Sequence, residues 1–189
     1  MQKNIDDAIK LINSLKQSKN RVLIAVDGMS CSGKSTFSAA LSGALKATLI
    51  HCDDFFLRPE QRTQERLSTS GGNLDTERLI SEVIEPVIKG EDFIYKPFNC
   101  HTMDFDESKT VSPSDIVILE GSYSCHPDLY NFFDIHIFLY TDRLSQICRL
   151  LLRGGYDKTK IFIEKWIPME NKYFDYFNIK NKCDLILKT

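Results

Sequence analysis

The feature that most constrains this chain is the stretch from Gly28 to Thr36, which reads Gly-Met-Ser-Cys-Ser-Gly-Lys-Ser-Thr. It fits the pattern of a glycine, four free positions and Gly-Lys-Ser/Thr that is typical of phosphate-binding loops. An apolar, β-branched run precedes it at 21–26, and a helical apolar periodicity follows it over 35–46. Strand, glycine loop and helix therefore occur in the order that a nucleotide phosphate site requires.

The residue types in this loop suit phosphate binding. Gly28 and Gly33 let the backbone turn so that several N–H groups point at one phosphate, and the following helix adds the positive end of its dipole. Lys34 is predicted to reach the β- and γ-phosphates, and the Ser35 hydroxyl to bind Mg²⁺. The alternative is a purely structural Gly/Ser turn. The predicted nucleotide-binding residues of the loop are Gly28, Ser30, Ser32, Gly33, Lys34, Ser35 and Thr36.

Composition limits the classes of partner. The length of 189 residues predicts a single domain over 1–189. A formal net charge of -2 gives no general attraction for nucleic acid, and the apolar runs are too short to span a membrane. Six separated cysteines without a Cys-x-x-Cys pair favour free thiols. We therefore expect a cytoplasmic protein with small-molecule partners, and its assembly as monomer or homo-oligomer stays open.

Further apolar runs predict a parallel sheet that is buried on both faces. They lie at 48–52, 116–119, 135–140 and 185–187, with an amphipathic packing helix at 2–18 and a further helix at roughly 75–89. Ligands of such sheets bind outside the carboxyl ends of the strands. The carboxylates at these ends are Asp27, Asp53, Asp54, Glu120 and Asp142. The long connection that follows the second strand is predicted to cover an acceptor substrate over 53–110.

Two groups of strand-end carboxylates are candidates for the chemistry. Glu120 is placed to contact Mg²⁺ directly or through water; the alternative is an ordinary strand-end residue. Asp53 and Asp54 are adjacent, and alternation along an extended backbone predicts that only one of them faces the phosphates. For this pair the alternative is a solvated turn.

The arginines and histidines allow more than one interpretation. Arg149 and Arg153 lie four residues apart before Gly154-Gly155, which predicts a lid over 149–160 that stabilises charge on the transferring phosphoryl group. The alternative is a basic helix end that interacts with the helix dipole. Arginines 58, 62 and 66 are predicted to form a solvated helix face. His51 and His136 lie within apolar runs and are predicted to pack there.

Taken together, the sequence resembles the uridine kinase-like group of phosphate-loop (P-loop) kinases, over nearly the whole chain after the first helix. The segments that carry the resemblance are Gly28–Thr36, Asp53-Asp54-Phe55-Phe56, Asn73-Leu74-Asp75, Glu120-Gly121-Ser122-Tyr123 and Arg149–Gly154. The resemblance implies an α/β P-loop nucleoside triphosphate hydrolase fold, with a five-stranded parallel sheet flanked by helices and a small lid. It also implies ATP and Mg²⁺ as cofactors.

The resemblance further implies site residues. Asp53 would be the catalytic base, with Lys34 and Arg153 as the other catalytic residues. Ser35, Glu120 and Asp53 would hold Mg²⁺, and Arg149 would close over the phosphates. Asp75 would grip the ribose hydroxyls, and the predicted substrate-binding residues are Asp75, Phe56, Arg58 and Phe98.

The function expected on this basis is ATP-dependent phosphoryl transfer to the 5′-hydroxyl of a nucleoside, with uridine or cytidine first. Uridine kinases usually continue the Asp75 segment with His-Pro-Asp, whereas this chain has Thr76-Glu77-Arg78. Nicotinamide riboside, pantothenate or another small alcohol is therefore the alternative acceptor. A nucleotide-binding switch protein is the alternative from another class; Asn181-Lys182-Cys183-Asp184 fits a guanine-reading pattern, but no Asp-x-x-Gly segment accompanies it.

Overall fold

The computed structural model describes residues 1–189, and a five-stranded parallel sheet lies at its centre. The strands are β1 (Val22–Gly28), β2 (Thr48–His51), β3 (Phe93–Tyr95), β4 (Phe98–Asn99), β5 (Asp104–Phe105), β6 (Lys109–Val111), β7 (Ile116–Glu120), β8 (Ile135–Tyr140) and β9 (Leu185–Lys188). The order across the sheet is β2-β7-β1-β8-β9, and every neighbouring pair is parallel. β1 is thus the central strand, and all of its residues are buried.

Helices cover both faces of this sheet. They are α1 (Gln2–Lys16), α2 (Lys34–Leu45), α3 (Gln64–Ser68), α4 (Thr76–Leu79), α5 (Glu85–Lys89), α6 (Pro127–Tyr130), α7 (Arg143–Ile161), α8 (Ile167–Phe177) and α9 (Ile179–Lys182). Alternate residues of β1 point to opposite faces. Ile24 packs in one cluster with Ile12 of α1 and Phe37 of α2. Ala25 packs on the other face, in a cluster that includes Tyr173 of α8.

The five apolar runs identified in the sequence are the five strands of the central sheet, so the predicted α/β fold class with a five-stranded parallel sheet is confirmed. Two small antiparallel pairs, β3 with β6 and β4 with β5, lie in the 53–110 connection and were not predicted. Each of these strands has only two or three residues, which is too short for a periodic signal.

Two helical segments contain a wide π turn that ends two residues before a proline. The π segment Ile80–Ile84 precedes Pro86, and the segment Phe162–Trp166 precedes Pro168. A proline has no N–H, and its ring would clash with the carbonyl group four residues earlier in a regular α-helix. The wider turn relieves this clash and lets the helix continue.

The predicted lid, 149–160, contains the point where α7 is interrupted. Gly155 has φ 72° and ψ -172°, which is not helical, and the chain resumes a helical path after it. A positive φ is a conformation that glycine adopts at little cost. After this break, α7 continues to Ile161, and the π segment Phe162–Trp166 connects it to α8. No helix of the chain is long and apolar enough to cross a bilayer.

Candidate active site

The phosphate loop is shaped by two glycines with positive φ. Gly28 has φ 138°, and a Cβ atom there would lie 2.0 Å from the carbonyl oxygen of Leu139 on the neighbouring strand. Gly33 has φ 87° and precedes the first turn of α2. The backbone N–H groups of residues 33–36 donate to no protein atom. They are therefore free to bind a phosphate at the helix N-terminus.

Lys34 lies within the curve of the loop. Its side chain is buried, and its Nζ donates to the carbonyl oxygens of Gly28 at 2.8 Å and Met29 at 3.0 Å. The loop backbone thus holds the ammonium group beside the free N–H groups. A positive charge at this position is suited to neutralising a bound phosphate.

Glu120, the last residue of β7, contacts residues of α2 and β2 at the carboxyl end of the sheet. Its Oε2 accepts a hydrogen bond from the Ser35 hydroxyl at 3.4 Å, and its Oε1 lies 2.7 Å from Nδ1 of His51. The hydrogen bond to Glu120 raises the pKa of His51. The prediction that His51 packs inside an apolar strand is wrong, because it ends β2 at this edge and its ring stays partly exposed.

His136, by contrast, is buried, as predicted. Its ring stacks on Tyr130 with centroids 3.8 Å apart, and Nε2 lies 3.0 Å from the Tyr130 carbonyl oxygen.

Asp53 faces the loop from a helical turn and not from a strand. The predicted extended alternation is wrong here, because β2 ends at His51 and Cys52–Phe55 form a single 3₁₀ turn. Asp53 is an exposed residue, and desolvation of its carboxylate by the surrounding protein raises its pKa. The positive charge of Lys34 opposes this shift, and the negative charge of Glu120 adds to it.

Asp54 is bound on the side of the small hairpins. Its Oδ2 accepts hydrogen bonds from the Tyr95 hydroxyl at 3.0 Å and from Nζ of Lys109 at 2.9 Å, and its carbonyl oxygen accepts one from Arg78. The Asp54 carboxylate, the other member of the adjacent pair, is thus already bound by protein partners. The two aspartates thus have different environments in spite of their adjacency.

The oxygen atoms at this edge fit a magnesium ion that also binds phosphates. No cluster of three or more His, Cys, Asp and Glu side chains is arranged to hold a metal alone. Mg²⁺ at phosphate-transfer sites usually takes one or two carboxylates, with phosphate and water oxygens completing its shell. The Ser35 hydroxyl and the Glu120 carboxylate, 3.4 Å apart, provide such a partial set.

The predicted acceptor-side residues lie beyond Asp53, and most already have protein partners. Asp75 is buried; its Oδ1 accepts from the Arg78 N–H at 3.1 Å and its Oδ2 from the Gln61 amide at 2.7 Å, so that it caps α4. Phe98 is buried with its ring edge-on to Phe105.

Phe56 and Arg58 follow the 3₁₀ turn of Asp53 and Asp54. The backbone of Phe56 bridges to Leu74, next to Asp75. Arg58 donates from its Nε to Gln61 and forms an ion pair with Glu60. Both residues are only partly buried.

The three arginines at four-residue spacing do not share a helix face. The prediction is wrong because Pro59–Gln61 form a separate 3₁₀ turn, and α3 begins only at Gln64. Arg62 donates to the carbonyl oxygen of Leu57 and lies 6.0 Å from the centroid of the Phe98 ring, whereas Arg66 pairs with Glu77.

The two lid arginines have unequal surroundings. Arg149 donates from Nη1 to the Cys31 carbonyl oxygen at 3.1 Å and to the Thr189 hydroxyl at 3.0 Å, so it supports the phosphate loop. Arg153 is exposed, and its positive charge lowers the pKa of Asp53. Of the two arginines, Arg153 is therefore the one left free to approach a transferring phosphoryl group.

Asp27 was noted at a strand end but not assigned to the site. It is fully buried, and its carboxylate accepts hydrogen bonds from the backbone N–H groups of Gly28 at 2.7 Å and Cys125 at 3.0 Å and from the Tyr173 hydroxyl at 2.9 Å. Burial raises its pKa to about 6. An acidic residue inside an otherwise apolar central strand was the sequence signal for this position.

Comparisons with known proteins agree with this geometry. Uridine kinase from Ureaplasma parvum serovar 3 is 24% identical over 172 residues, covering 85% of this chain and 83% of that protein. A chloroplastic uridine/cytidine kinase from Arabidopsis thaliana is 28% identical over 186 residues; the match covers 89% of this chain and 38% of that protein. No protein-family model matches the chain.

Among solved structures, a possible uridine kinase from Bacillus stearothermophilus superimposes with a TM-score of 0.74 at 21% identity, covering 98% of both chains. The order of strand, glycine loop and helix, together with this similarity, confirms the P-loop nucleoside triphosphate hydrolase fold.

Proposed function

We propose that this chain, an ATP-dependent P-loop kinase of the uridine kinase-like group, transfers the γ-phosphoryl group of ATP to the 5′-hydroxyl of a nucleoside, with uridine or cytidine first. The curated uridine kinases confirm the predicted resemblance and the prediction of an ATP-dependent kinase. The single observation that supports a transfer reaction, beyond nucleotide binding, is Asp53. Its carboxylate has no protein hydrogen-bond partner, and it is close enough to Lys34 for the positive charge of that residue to affect its pKa.

On the donor side, the free N–H groups of residues 33–36 and the ammonium group of Lys34 bind the phosphates of ATP. Ser35 and Glu120 hold Mg²⁺, with Asp53 as a further oxygen ligand at the same edge. When bound, Mg²⁺ neutralises charge on the phosphate oxygens. Arg153 approaches from the lid and stabilises the charge that develops on the transferring group.

On the acceptor side, Asp53 accepts the proton of the attacking hydroxyl. A carboxylate with a raised pKa is a stronger base than an ordinary aspartate, and Asp53 is the first residue of the 53–110 segment. Asp75, Phe56, Arg58 and Phe98 lie in that segment, and we propose that they line the acceptor pocket. Because Asp75 already accepts two protein hydrogen bonds, it contacts an acceptor hydroxyl with its remaining lone pairs.

A second acceptor class follows from one sequence difference. Thr76-Glu77-Arg78 stands where uridine kinases usually have His-Pro-Asp. The guanidinium of Arg78 is buried against the ring of Phe55, 4.5 Å from its centroid, and binds the backbone at Lys96 and Asp54. This arrangement replaces base-reading groups with a structural cation, so nicotinamide riboside, pantothenate or another small alcohol is the alternative acceptor.

The switch-protein alternative has less support. The Asn181–Asp184 segment precedes β9, and Asp184 binds the backbone N–H of His136 at 2.8 Å. An aspartate used in this way is unsuited to reading a guanine base.

The experiment that tests this proposal is ADP release from ATP and Mg²⁺ across a panel of uridine, cytidine, nicotinamide riboside, pantothenate and ribulose 5-phosphate. We expect release that depends on a nucleoside and is abolished by Lys34→Ala. ADP release that no acceptor stimulates would contradict the proposal. Three statements about this protein stay predictions from its sequence. They are a cytoplasmic location, the restriction of its partners to small molecules, and self-association.

A further inference from the structure

Ser30, the third residue of the phosphate loop, is bound from two helices at once. Glu170 of α8 accepts its N–H at 2.9 Å and also its hydroxyl proton. Gln146 of α7 donates from Nε2 to its carbonyl oxygen at 3.0 Å. The predicted lid, 149–160, lies between Gln146 and Glu170 along the chain. Ser30 is therefore bonded to one residue before the lid and to one residue after it.

Glu170 is unusual for a buried carboxylate, because no cation pairs with it. It is 6% exposed, and its third hydrogen bond comes from the Ser122 hydroxyl at 2.8 Å. Ser122 lies two residues after Glu120. A buried carboxylate is costly unless hydrogen bonds satisfy it. Glu170 meets this requirement entirely with donors from the phosphate loop and from the segment after β7.

The bond from Ser30 to Glu170 fixes the orientation of the Met29–Ser30 peptide. In a trans peptide the N–H and C=O groups point in opposite directions. Because the N–H points at Glu170, the carbonyl oxygen of Met29 points the other way, to Nζ of Lys34 at 3.0 Å. Glu170 and Lys34 thus hold the two ends of the same peptide group.

The next peptide group is fixed in the same manner. Gln146 binds the Ser30 carbonyl oxygen, so the N–H of Cys31, in the same trans peptide, points away from Gln146. Gln146 is itself fully buried, and its other amide atom accepts a hydrogen bond from Arg143 at 3.0 Å. Glu170 and Gln146 therefore fix the orientation of two consecutive peptide groups of the phosphate loop.

We propose that Glu170 and Gln146 are positioning residues that act on bound ATP through Ser30, by fixing the peptides that hold Lys34 and direct the loop N–H groups. They join the bases of the lid to the phosphate loop. The proposal concerns ATP binding alone, so its failure can be told apart from failure of the proposed acceptor chemistry.

The test is the Kd of ATP with Mg²⁺, measured by calorimetry in the absence of any acceptor, for Glu170→Ala, Glu170→Gln and the wild-type chain. We expect Glu170→Ala to raise the Kd about tenfold, the value of one charge-assisted hydrogen bond. Glu170→Gln keeps an oxygen that accepts the Ser30 N–H, so its Kd stays within about twofold of the wild-type value. The control is Glu164→Ala, an exposed residue between the predicted lid and α8, where no change is expected.

A purely structural role would lower the melting temperature without changing the Kd of the folded protein, and the two quantities are therefore measured on the same samples. Where Glu170→Ala does not fold, Gln146→Ala takes its place with the same expectation. Hydrogen exchange adds a direct readout, since the Ser30 amide should exchange faster in Glu170→Ala while amides of β1 stay protected. A wild-type Kd in both folded alanine variants, or a Kd for Glu170→Gln as weak as for Glu170→Ala, would overturn the proposal.

Discussion

Nδ1 of His51 lies 2.7 Å from Oε1 of Glu120, and this contact orients the carboxylate so that Oε2 faces the Ser35 hydroxyl. Groups that orient a metal ligand contribute to metal affinity, typically 10- to 100-fold. We therefore expect His51→Ala to raise the Mg²⁺ concentration for half-maximal activity by about tenfold. A magnesium titration at saturating ATP measures this.

His51→Asn is the matched conservative variant, because its amide nitrogen occupies the position of Nδ1. It should retain most of the magnesium affinity. His101→Ala, on an exposed turn, should have no effect. Equal magnesium dependence in His51→Ala and the wild-type chain would show that this contact does not orient a metal ligand.

The adjacent aspartates should behave differently on substitution. Asp53→Asn keeps the size of the side chain but removes the base, and should lower kcat by about 10²-fold or more. Asp54→Asn removes the charge partner of Lys109 and a hydrogen-bond acceptor of Tyr95, and should lower kcat much less. Single-turnover rates compare the two variants. A larger loss in Asp54→Asn would identify Asp54 as the base.

Substitutions of Arg149 and Arg153 should distinguish two roles, which are support of the phosphate loop by Arg149 and stabilisation of charge in the transition state by Arg153. Arg153→Ala should lower kcat more than it raises the acceptor KM, because its interaction strengthens in the transition state. Arg149→Ala should mainly raise the KM for ATP, because it loses the bond to the Cys31 carbonyl oxygen. Steady-state kinetics distinguishes the two effects, with Lys160→Ala as the exposed control. An effect of Arg153→Ala on KM alone would place Arg153 in ground-state binding.

The raised pKa of Asp27 should make the free energy of unfolding decrease as the pH rises. Its pKa is about 6 in the folded chain against an ordinary value of 3.8, because burial outweighs the charge of Lys34 and the hydrogen bonds from Cys125, Gly28 and Tyr173. Between about pH 4 and pH 6 the folded state therefore holds a proton that the unfolded state has released. The free energy of unfolding should fall as pH rises across this window, by on the order of 3 kcal/mol.

Asp27→Asn removes this titration, so the difference in free energy of unfolding between wild type and variant should change with pH only in that window. Urea unfolding at several pH values measures it. Asp157→Asn, on the exposed lid, should track the wild-type curve at every pH. Parallel curves for Asp27→Asn and the wild type would contradict the raised pKa.

Much of the fold was predictable because its strands are continuous apolar runs. The three inner runs, β7, β1 and β8, are buried on both faces of the parallel sheet, which is the condition that produces such a run, whereas the edge strands β2 and β9 are only partly buried. The phosphate loop was predictable for a different reason, since Gly28 and Gly33 adopt positive φ that other residues avoid. The positions of Lys34, Ser35 and Glu120 then follow from the register between β1 and β7.

What the sequence did not predict depends on contacts between distant residues. His51 ends an apolar run, and for this reason the sequence predicted that its side chain packs in the core. Its hydrogen-bond partner Glu120 is 69 positions away, so no local pattern indicated this contact. Glu170 meets Ser30 across 140 positions and had no local pattern. The turn at Asp53 follows from where β2 ends, which is set by pairing with β7 and not by propensity.

The most direct test of phosphoryl transfer to a nucleoside is ³¹P NMR of the products formed from ATP, Mg²⁺ and uridine. We predict a phosphomonoester resonance at the 5′ position of uridine that grows together with ADP and is absent with Lys34→Ala. The same measurement with cytidine, nicotinamide riboside and pantothenate ranks the acceptors. Formation of ADP with inorganic phosphate alone, for every acceptor, would contradict the proposal that this chain phosphorylates a nucleoside.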